Sequence, residues 1–272
     1  MPGSDPDMTA EASLPATLEL ECRDVHVRLT GAAGQVDILR GVDLQIGRGE
    51  FVSILGASGT GKTTLLRVLG GLTPVSGGDY HLGGRPVSGP PEGAVTVFQD
   101  YANSLLPWRT VAHNVALGIE SRLPAAEVRE RVDGALEMVG LGESAGEYPS
   151  RLSGGMQQRV QIARALAMRP SVLLMDEPFG ALDAMTKAGL QDQLQAVQAA
   201  TGTTIVFVTH DVEEAVYLSD RIVVLSGRPA CVGLTLDVPL ARPRDQIGTK
   251  EDAGYLDLRH RTYAALGHGV PR

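Results

Sequence analysis

The sequence predicts an α/β fold with a mostly parallel sheet covered on both faces by helices. Short apolar strands alternate with helical segments, one strand runs directly into a glycine-rich loop that opens a helix, and an all-helical block at about 100–169 interrupts the strands. Such alternation is typical of parallel sheets, because each crossover connection places a helix on one face. The helical block predicts a subdomain inserted into this sheet.

Each element is predicted from its own pattern. Alternating apolar residues predict strands at 18–29 and 36–46, with turns at 30–34 and 47–50. Pro124 and Pro149 mark breaks within the helical block. The other predicted elements are strands at 51–55, 79–82, 95–98, 172–175, 203–209, 221–225 and 232–238 and helices at 62–69, 184–200 and 212–218.

The two ends of the chain differ from the region between them. Residues 1–17 contain acids and no apolar block, which predicts a disordered tail rather than a secretory signal. Residues 18–240 form the predicted main domain, and 241–272, with scattered charges, a short extension. Because no run of about 18 apolar residues occurs, we expect no membrane-spanning helix.

Composition excludes some classes of protein. The 272 residues are 43% hydrophobic and carry a net charge of -8, which argues against a nucleic-acid binder that neutralises phosphates. Cys22 and Cys231 lie far apart in no metal-ligand spacing. They are typical of reduced, intracellular thiols, although the sequence leaves a disulfide between them open.

The glycine-rich loop matches the phosphate-binding pattern G-x-x-x-x-G-K-[ST]. Its glycines let consecutive backbone N–H groups point at one anion, and the following helix adds its positive end. We expect the lysine to reach the β- and γ-phosphates of a nucleotide and the threonine after it to hold Mg²⁺. The predicted ATP-binding residues here are Gly56, Ala57, Ser58, Gly59, Thr60, Gly61, Lys62, Thr63 and Thr64.

The alternative interpretation of this segment is a chance glycine-rich turn. Against it, the chain contains only three lysines, Lys62, Lys187 and Lys250, and uses arginine for its other basic residues. A lysine kept at this position indicates a site that needs a compact point charge.

An apolar strand ends in two carboxylates, Asp176 and Glu177. The carboxyl ends of parallel strands form the ligand crevice of an open sheet, so both acids should face the glycine-rich loop. We expect Asp176 to hold Mg²⁺ and Glu177 to orient or deprotonate the attacking water. Taken alone, this pair is weak evidence for a functional site, because acidic residues commonly end strands.

A second anion site is predicted where L-S-G-G-M-Q-Q-R at 152–159 begins a helix, because its first N–H groups are uncovered. The ordered motifs resemble those of the ATP-binding cassette (ABC) proteins, over about residues 18–240. The segment 152–159 is similar to the family's signature, Gln99 to its Q-loop glutamine, 180–183 to its D-loop and His210 to its switch histidine. The resemblance implies a P-loop NTPase (RecA-like) core with an antiparallel β subdomain and an α-helical subdomain.

The resemblance also implies a mechanism. Two copies face head to tail, and each ATP lies between the phosphate loop of one copy and Ser153, Gly154 and Gly155 of the other. The implied catalytic residues are Glu177, His210, Lys62 and Gln99, and the implied Mg²⁺ ligands are Thr63, Gln99 and Asp176. Leu29 stands where the family often has an adenine-stacking aromatic, so the adenine contact is expected to be aliphatic.

The segment 104–111, S-L-L-P-W-R-T-V, contains the only tryptophan, Trp108. It is suited to gripping a helix of a partner, and the alternative is that Trp108 packs internally. This segment, with 208–211, 213–215, 219–225 and 239–245, resembles the importer ATPases for nitrate, sulfonates and taurine.

The implied protein is an ATPase at the cytoplasmic face of the membrane. Its implied partners are a second copy, a transmembrane permease and, indirectly, a solute-binding protein, with no nucleic acid. Two other hypotheses are a DNA-repair or chromosome-organising ATPase and a catalytically dead cassette. The first usually carries a long coiled coil, whereas about fifty residues separate Gln99 from Ser153 here, and intact Lys62, Asp176, Glu177 and His210 count against the second.

Overall fold

The computed structural model describes residues 17–31, 34–99, 104–180 and 182–267. Its strands are β1 (Leu18–Gly31), β2 (Gly34–Gly47), β3 (Phe51–Leu55), β4 (Gly77–Leu82), β5 (Arg85–Pro86), β6 (Ala94–Val97), β7 (Val172–Asp176), β8 (Thr204–Val208), β9 (Arg221–Ser226) and β10 (Cys231–Asp237). Its helices are α1 (Lys62–Leu69), α2 (Val111–Ala116), α3 (Ala125–Met138), α4 (Gly154–Ala167), α5 (Ala184–Thr201), α6 (Val212–Leu218), α7 (Gly248–Glu251) and α8 (Ala253–Ala265).

A six-stranded sheet in the order β10-β9-β3-β8-β7-β6 forms the centre of the fold. All neighbours in it are parallel except β10, which pairs antiparallel with β9. Successive residues of a strand point to opposite faces, and both faces are buried here. Phe51 and Leu55 pack into one core while Val52 and Ile54 pack into the other, which explains why these strands are continuous apolar runs. The predicted mostly parallel sheet is confirmed.

A second, antiparallel sheet in the order β2-β1-β4-β5 covers one face. Leu20, Val25 and Ile46 of this sheet share a core with α1 and with β3. The hydroxyl of Tyr80 in β4 donates to the carbonyl of Leu69 at the end of α1, at 2.7 Å, and so ties the sheet to the helix after the glycine-rich loop. This is the antiparallel β subdomain that the resemblance implied.

The helical block lies between β6 and β7, as predicted. It contains α2, α3, α4 and two short 3-10 segments, Gly142–Ser144 and Pro149–Arg151. Before α4, the described helices α2 and α3 are only 6 and 14 residues long, so they do not form the long coiled coil of the DNA-repair hypothesis. The block shares a hydrophobic core with the face of the central sheet that the antiparallel sheet leaves uncovered.

The C-terminal extension is helical, which the sequence interpretation did not predict. Tyr255 of α8 is fully buried, and its hydroxyl donates to Oε2 of Glu213 in α6 at 2.7 Å. The buried guanidinium of Arg244 donates to the carbonyls of Tyr217 and Ser219 at 2.9 and 2.8 Å. The extension therefore packs against the helix that follows His210.

Two further predictions concern thiols and membranes. Cys22 and Cys231 are both free, and burial raises the pKa of the Cys22 thiol to about 12, which makes it unreactive. None of the helices in the described part of the chain combines the length and apolar character needed to cross a bilayer. The tail prediction at residues 1–17 lies outside the described residues except for Thr17.

Candidate nucleotide-binding site

The predicted catalytic and phosphate-loop residues meet at one edge of the central sheet. The glycine-rich loop follows β3, His210 follows β8, Asp176 and Glu177 end β7, and Gln99 follows β6. These four strands are parallel neighbours in the order β3-β8-β7-β6, so their carboxyl ends lie side by side. Segments that are far apart in sequence are thereby brought together in the position where open α/β sheets bind ligands.

The glycine-rich loop has a backbone that only glycine accommodates easily. Gly59 and Gly61 have φ values of 75° and 89°, in the left-handed region. A Cβ on Gly56 would lie 2.6 Å from Oγ1 of Thr60, so this glycine is required for the chain to close on itself. The Thr60 hydroxyl donates to the carbonyl of Ala57 at 2.8 Å and closes the turn. Ala57, Ser58 and Gly59 are exposed on the outside of the loop.

Lys62 and Thr63 begin α1 directly after the loop, and Thr64 is half-buried in the same first turn. The Lys62 ammonium is buried over the loop, where it donates to the carbonyls of Gly56 and Ala57 at 2.9 and 3.3 Å. These hydrogen bonds hold a positive charge at the start of the loop.

Thr63 and Asp176 form an oxygen-rich pair across the edge. The Thr63 hydroxyl donates to Oδ1 of Asp176 at 3.3 Å. Burial raises the pKa of the Asp176 carboxyl, and the hydrogen bond from Thr63 acts in the opposite direction. A hydroxyl and a carboxylate are hard oxygen donors, the type that Mg²⁺ prefers. These two residues therefore fit the metal-binding role predicted for them.

Glu177 and His210 form a second pair. Nδ1 of His210 lies 3.1 Å from Oε2 of Glu177, and since an ionised carboxylate can only accept, the histidine donates. Glu177 has a φ of 44°, which is uncommon for a residue other than glycine. Its backbone N–H donates to the carbonyl of Val208 at 2.9 Å, which fixes the carboxylate beside the end of β8. Such backbone strain is concentrated at functional sites.

The Q-loop and D-loop residues lie beside this pair. Gln99 is exposed, and its Nε2 lies 3.9 Å from the position of a Cβ built on Gly180. Asp183 caps α5 by accepting hydrogen bonds from the N–H groups of Met185 and Thr186, at 3.1 Å each. Ala181 of the D-loop and Asp100, next to Gln99, lie outside the described residues.

Leu29 lies on the exposed end of the β1–β2 hairpin. It pairs with Val36 across the two strands, and the two side chains are 43% and 52% exposed. Farther along β2, Cγ2 of Ile38 lies 3.0 Å from the position of a Cβ on Gly61 in the phosphate loop. An aliphatic side chain of β2 therefore lies next to the loop, and the aliphatic adenine contact at Leu29 stays a prediction.

The signature residues lie at the start of α4, in the helical block. Ser153 is the N-cap, and its hydroxyl accepts a hydrogen bond from the N–H of Met156 at 3.3 Å. Gly154 and Gly155 form the first turn. A Cβ on Gly155 would lie 2.3 Å from Cγ2 of Thr186 in α5, so this glycine permits close packing of α4 against α5.

We expect Gly155→Ala to lower the free energy of unfolding by about 1–3 kcal/mol, because the added methyl overlaps Thr186. Urea unfolding measures the change. Gly134→Ala in α3 is the matched control, since a Cβ there meets nothing within 4 Å. Gly155→Ala combined with Thr186→Ser removes the overlapping methyl and should recover most of the loss. Equal stabilities of the Gly155 and Gly134 variants would contradict this account.

Two groups at the site were missed by the sequence interpretation. Nη2 of Arg228, in the β9–β10 turn, donates to the carbonyl of Ser58 at 2.9 Å and braces the phosphate loop from outside. Lys187 in α5 forms ion pairs with Asp211 and Glu214, which follow His210 in the chain. The scarcity of lysine in the chain was the available signal for Lys187.

The parallel sheet, the phosphate loop and the acidic strand end define a P-loop nucleotide-binding protein. A sequence profile of the ABC transporter family matches residues 39–180, slightly more than half of the chain. The chain belongs to the ABC transporter family, and it has the fold of an ATP-binding cassette.

Characterised relatives have similar sequences. The nitrate import ATP-binding protein NrtC of Synechococcus elongatus is 48% identical over 84% of this chain and 35% of its own length. The bicarbonate transport ATP-binding protein CmpC of Synechocystis is 46% identical over 83% of this chain and 34% of its own length. The nitrate transport protein NasD of Klebsiella oxytoca is 44% identical over 93% of this chain and 98% of its own length. The chain thus spans about a third of NrtC and CmpC but nearly all of NasD.

Solved structures have the same fold. The ATP-binding cassette MJ0796, in a dimeric post-hydrolysis state bound to ADP and Pi, has a TM-score of 0.70 and 31% sequence identity. The match covers 80% of this chain and 98% of that one. The predicted P-loop NTPase fold is confirmed.

Proposed function

We propose that this chain powers an importer for nitrate or a similar small solute by hydrolysing ATP beside a transmembrane permease. The observation that carries the proposal is the Glu177–His210 pair, 3.1 Å apart, at the same sheet edge as the phosphate loop. A base and an orienting group beside a phosphate site are what hydrolysis of a terminal phosphate requires. The hypothesis of a catalytically dead cassette is not favoured by this arrangement.

The phosphate loop binds the β- and γ-phosphates. Backbone N–H groups of residues 56–64 and the Lys62 ammonium neutralise their charge, which develops further in the transition state. Thr63 and Asp176, with Gln99, would hold Mg²⁺, which when bound supplies further neutralisation of the phosphate oxygens. Arg228 keeps the outer part of the loop in place through its hydrogen bond to Ser58.

Glu177 accepts a proton from the water that attacks the γ-phosphate, and His210 orients the carboxylate. Donation from Nδ1 of His210 to Oε2 leaves the other carboxylate oxygen of Glu177 available for the water. The hydrogen bond also fixes the direction in which the base points.

A second copy completes the site. Ser153, Gly154 and Gly155 belong to the helical block rather than to the sheet edge that carries the phosphate loop. Their helix start offers N–H groups to a γ-phosphate bound by another copy. Hydrolysis is then conditional on head-to-tail closure of two copies.

The partner in the membrane contacts the segment around Trp108, whose side chain is 71% exposed, so internal packing was the wrong alternative. Asn114 is fully buried and holds this segment by donating to the carbonyl of Leu106 at 3.0 Å and to that of Arg109 at 3.1 Å. Arg164 of α4 donates to Oδ1 of Asn114 at 3.0 Å. The exposed tryptophan is therefore connected through Asn114 and Arg164 to the signature helix. A permease bound at Trp108 would hold the subunit at the cytoplasmic face of the membrane.

Trp108→Ala is expected to weaken binding to the permease by about 10-fold or more, because aromatic anchors dominate such interfaces. ATP affinity should stay unchanged, since the segment lies in the helical block. Co-purification with the permease and nucleotide titration measure the two effects. Tyr148→Ala, which removes another exposed aromatic of the block, is the control. Undiminished binding of Trp108→Ala to the permease would remove Trp108 from the interface.

The cargo does not contact this subunit, so it has to be tested on the assembled transporter. Vesicles containing the ATPase, the permease and the solute-binding protein should take up nitrate when ATP is present on the ATPase side. Bicarbonate, taurine and an alkyl sulfonate form the other arms of the assay. ATP-dependent uptake of none of these solutes would refute the importer proposal, whereas uptake of another of the four would only reassign the cargo.

A further inference from the structure

Lys187 lies in the first turn of α5, directly after the D-loop, and contacts two carboxylates. Its Nζ lies 2.6 Å from Oδ2 of Asp211 and 2.6 Å from Oε1 of Glu214. The other oxygen of Glu214 accepts a hydrogen bond from the Thr209 hydroxyl at 2.5 Å. We call Lys187, Thr209, Asp211 and Glu214 the lysine cluster.

The lysine cluster surrounds the backbone of His210 on both sides. The N–H of Asp211 donates to Oγ1 of Thr209 at 3.0 Å, and the N–H of Thr209 donates to the carbonyl of Ile54 at 3.2 Å. The His210 side chain itself is exposed, and its hydrogen bond is to Glu177. Its position is therefore set by the residues before and after it, both of which belong to the cluster.

The cluster depends on the charge of Lys187. The Glu214 side chain is only 4% exposed, and burial raises the pKa of its carboxyl, while Lys187 opposes this effect. Lys187 is the one cation paired with Asp211 or Glu214 in the described part of the chain. Without it, two neighbouring carboxylates would repel each other, and a buried charge would lose its partner.

Lys187 has little freedom to move. The preceding residue, Thr186, packs closely against Gly155. A Cβ added to Gly155 would overlap the Thr186 side chain. The first turn of α5 is thus held between the signature helix on one side and the His210 segment on the other. A fixed ammonium can hold two carboxylates at fixed positions.

We propose that Lys187 is a positioning residue for ATP hydrolysis, which acts by holding Asp211 and Glu214 so that His210 meets Glu177. The proposal rests on the proposed ATPase function. Lys187 lies outside the phosphate loop and pairs with Asp211 and Glu214, so it acts through the histidine. It therefore affects the rate of hydrolysis and not the affinity for ATP.

The test is Lys187→Met, which keeps the length of the side chain and removes its charge. We expect kcat to fall by about 10- to 100-fold, because misplacing a catalytic group by about 1 Å has an effect of that size. The Kd for ATP, measured by fluorescence titration, should change less than about 2-fold, since the variant leaves the phosphate loop intact. Lys187→Arg should retain most of the activity, and Lys250→Met is the matched control for loss of a lysine.

Two double variants separate positioning from stability. Lys187→Met in a His210→Ala background should cause no further loss of single-turnover rate, because the lysine acts through the histidine. Lys187→Met with Glu214→Gln removes the buried charge together with its partner, so thermal stability should recover while kcat stays low. Recovery of kcat along with stability, or an equal loss in the His210→Ala background, would overturn the proposal. An inactive wild-type protein would instead refute the ATPase function itself.

Discussion

Glu177→Gln is expected to abolish ATP turnover while leaving ATP binding intact. The amide has the shape of the carboxylate but cannot accept a proton from water, and loss of a general base lowers rates by about 10²- to 10⁴-fold. The phosphate loop, Lys62 and Asp176 are unchanged, so nucleotide affinity should be retained. Phosphate release and nucleotide titration measure the two quantities on one preparation.

The same variant should accumulate a closed dimer with ATP and Mg²⁺. Closure depends on the γ-phosphate held between two copies, and without hydrolysis that phosphate stays in place. Light scattering during gel filtration measures the mass. Glu130→Gln is the control, because this exposed carboxylate makes only a surface ion pair with Arg169. A Glu177→Gln protein that binds ATP yet stays monomeric would rule out the head-to-tail arrangement.

The central sheet was predictable from sequence because its strands are buried on both faces. β7 and β8 read as V-L-L-M-D and T-I-V-F-V, and every residue in them is buried. Such runs, bounded by turns and helices, leave few alternatives to parallel strands. The order of the motifs along the chain then predicted which strand ends would meet.

The C-terminal helices were not predictable in the same way. In α8 the buried residues are Tyr255, Leu258 and Thr262, which have helical spacing, but only two are strongly apolar and charged residues stand between them. The helix is stabilised by tertiary contacts, such as the ion pair of Arg259 with Glu213 at 3.1 Å, between residues 46 positions apart. No local pattern contains that information.

The candidate site, like the fold, was only partly predictable from the sequence. The order of the motifs, through the resemblance to the ABC family, predicted that Lys62, Asp176, Glu177 and His210 belong together, and the structure brings them to one sheet edge. The left-handed backbone of Glu177 leaves no signal in the sequence, since the residue is held by a hydrogen bond to Val208, 31 positions further along the chain. The position of Lys187 between two carboxylates likewise depends on how α5 packs beside the His210 segment.

Lys62→Met is expected to lower ATP affinity by about 10- to 150-fold, the effect of losing a hydrogen bond to a charged group worth about 1.5–3 kcal/mol. The methionine retains the apolar stem but not the ammonium that lies over Gly56 and Ala57. Removing the ammonium loses its hydrogen bonds to two carbonyls but also removes the desolvation cost of a buried charge, so the free energy of unfolding should change by less than about 1 kcal/mol. The variant should therefore lose affinity for ATP without losing stability. If the lysine only stabilised the loop, both quantities would fall together.

Lys62→Arg sharpens this prediction. Arginine keeps the charge, but its planar guanidinium is larger than an ammonium, and Lys62 is only 7% exposed in a loop closed around it. We therefore expect affinity to fall here as well. Titration with ATP and urea unfolding of both variants, with Lys250→Met as control, measure the separation. The smallest expected loss of binding free energy is about 1.5 kcal/mol. If the ATP affinity of Lys62→Met stayed within about 3-fold of wild type, the loss would be smaller than that. The segment would then be a glycine-rich turn, and the terminal phosphate would be bound elsewhere.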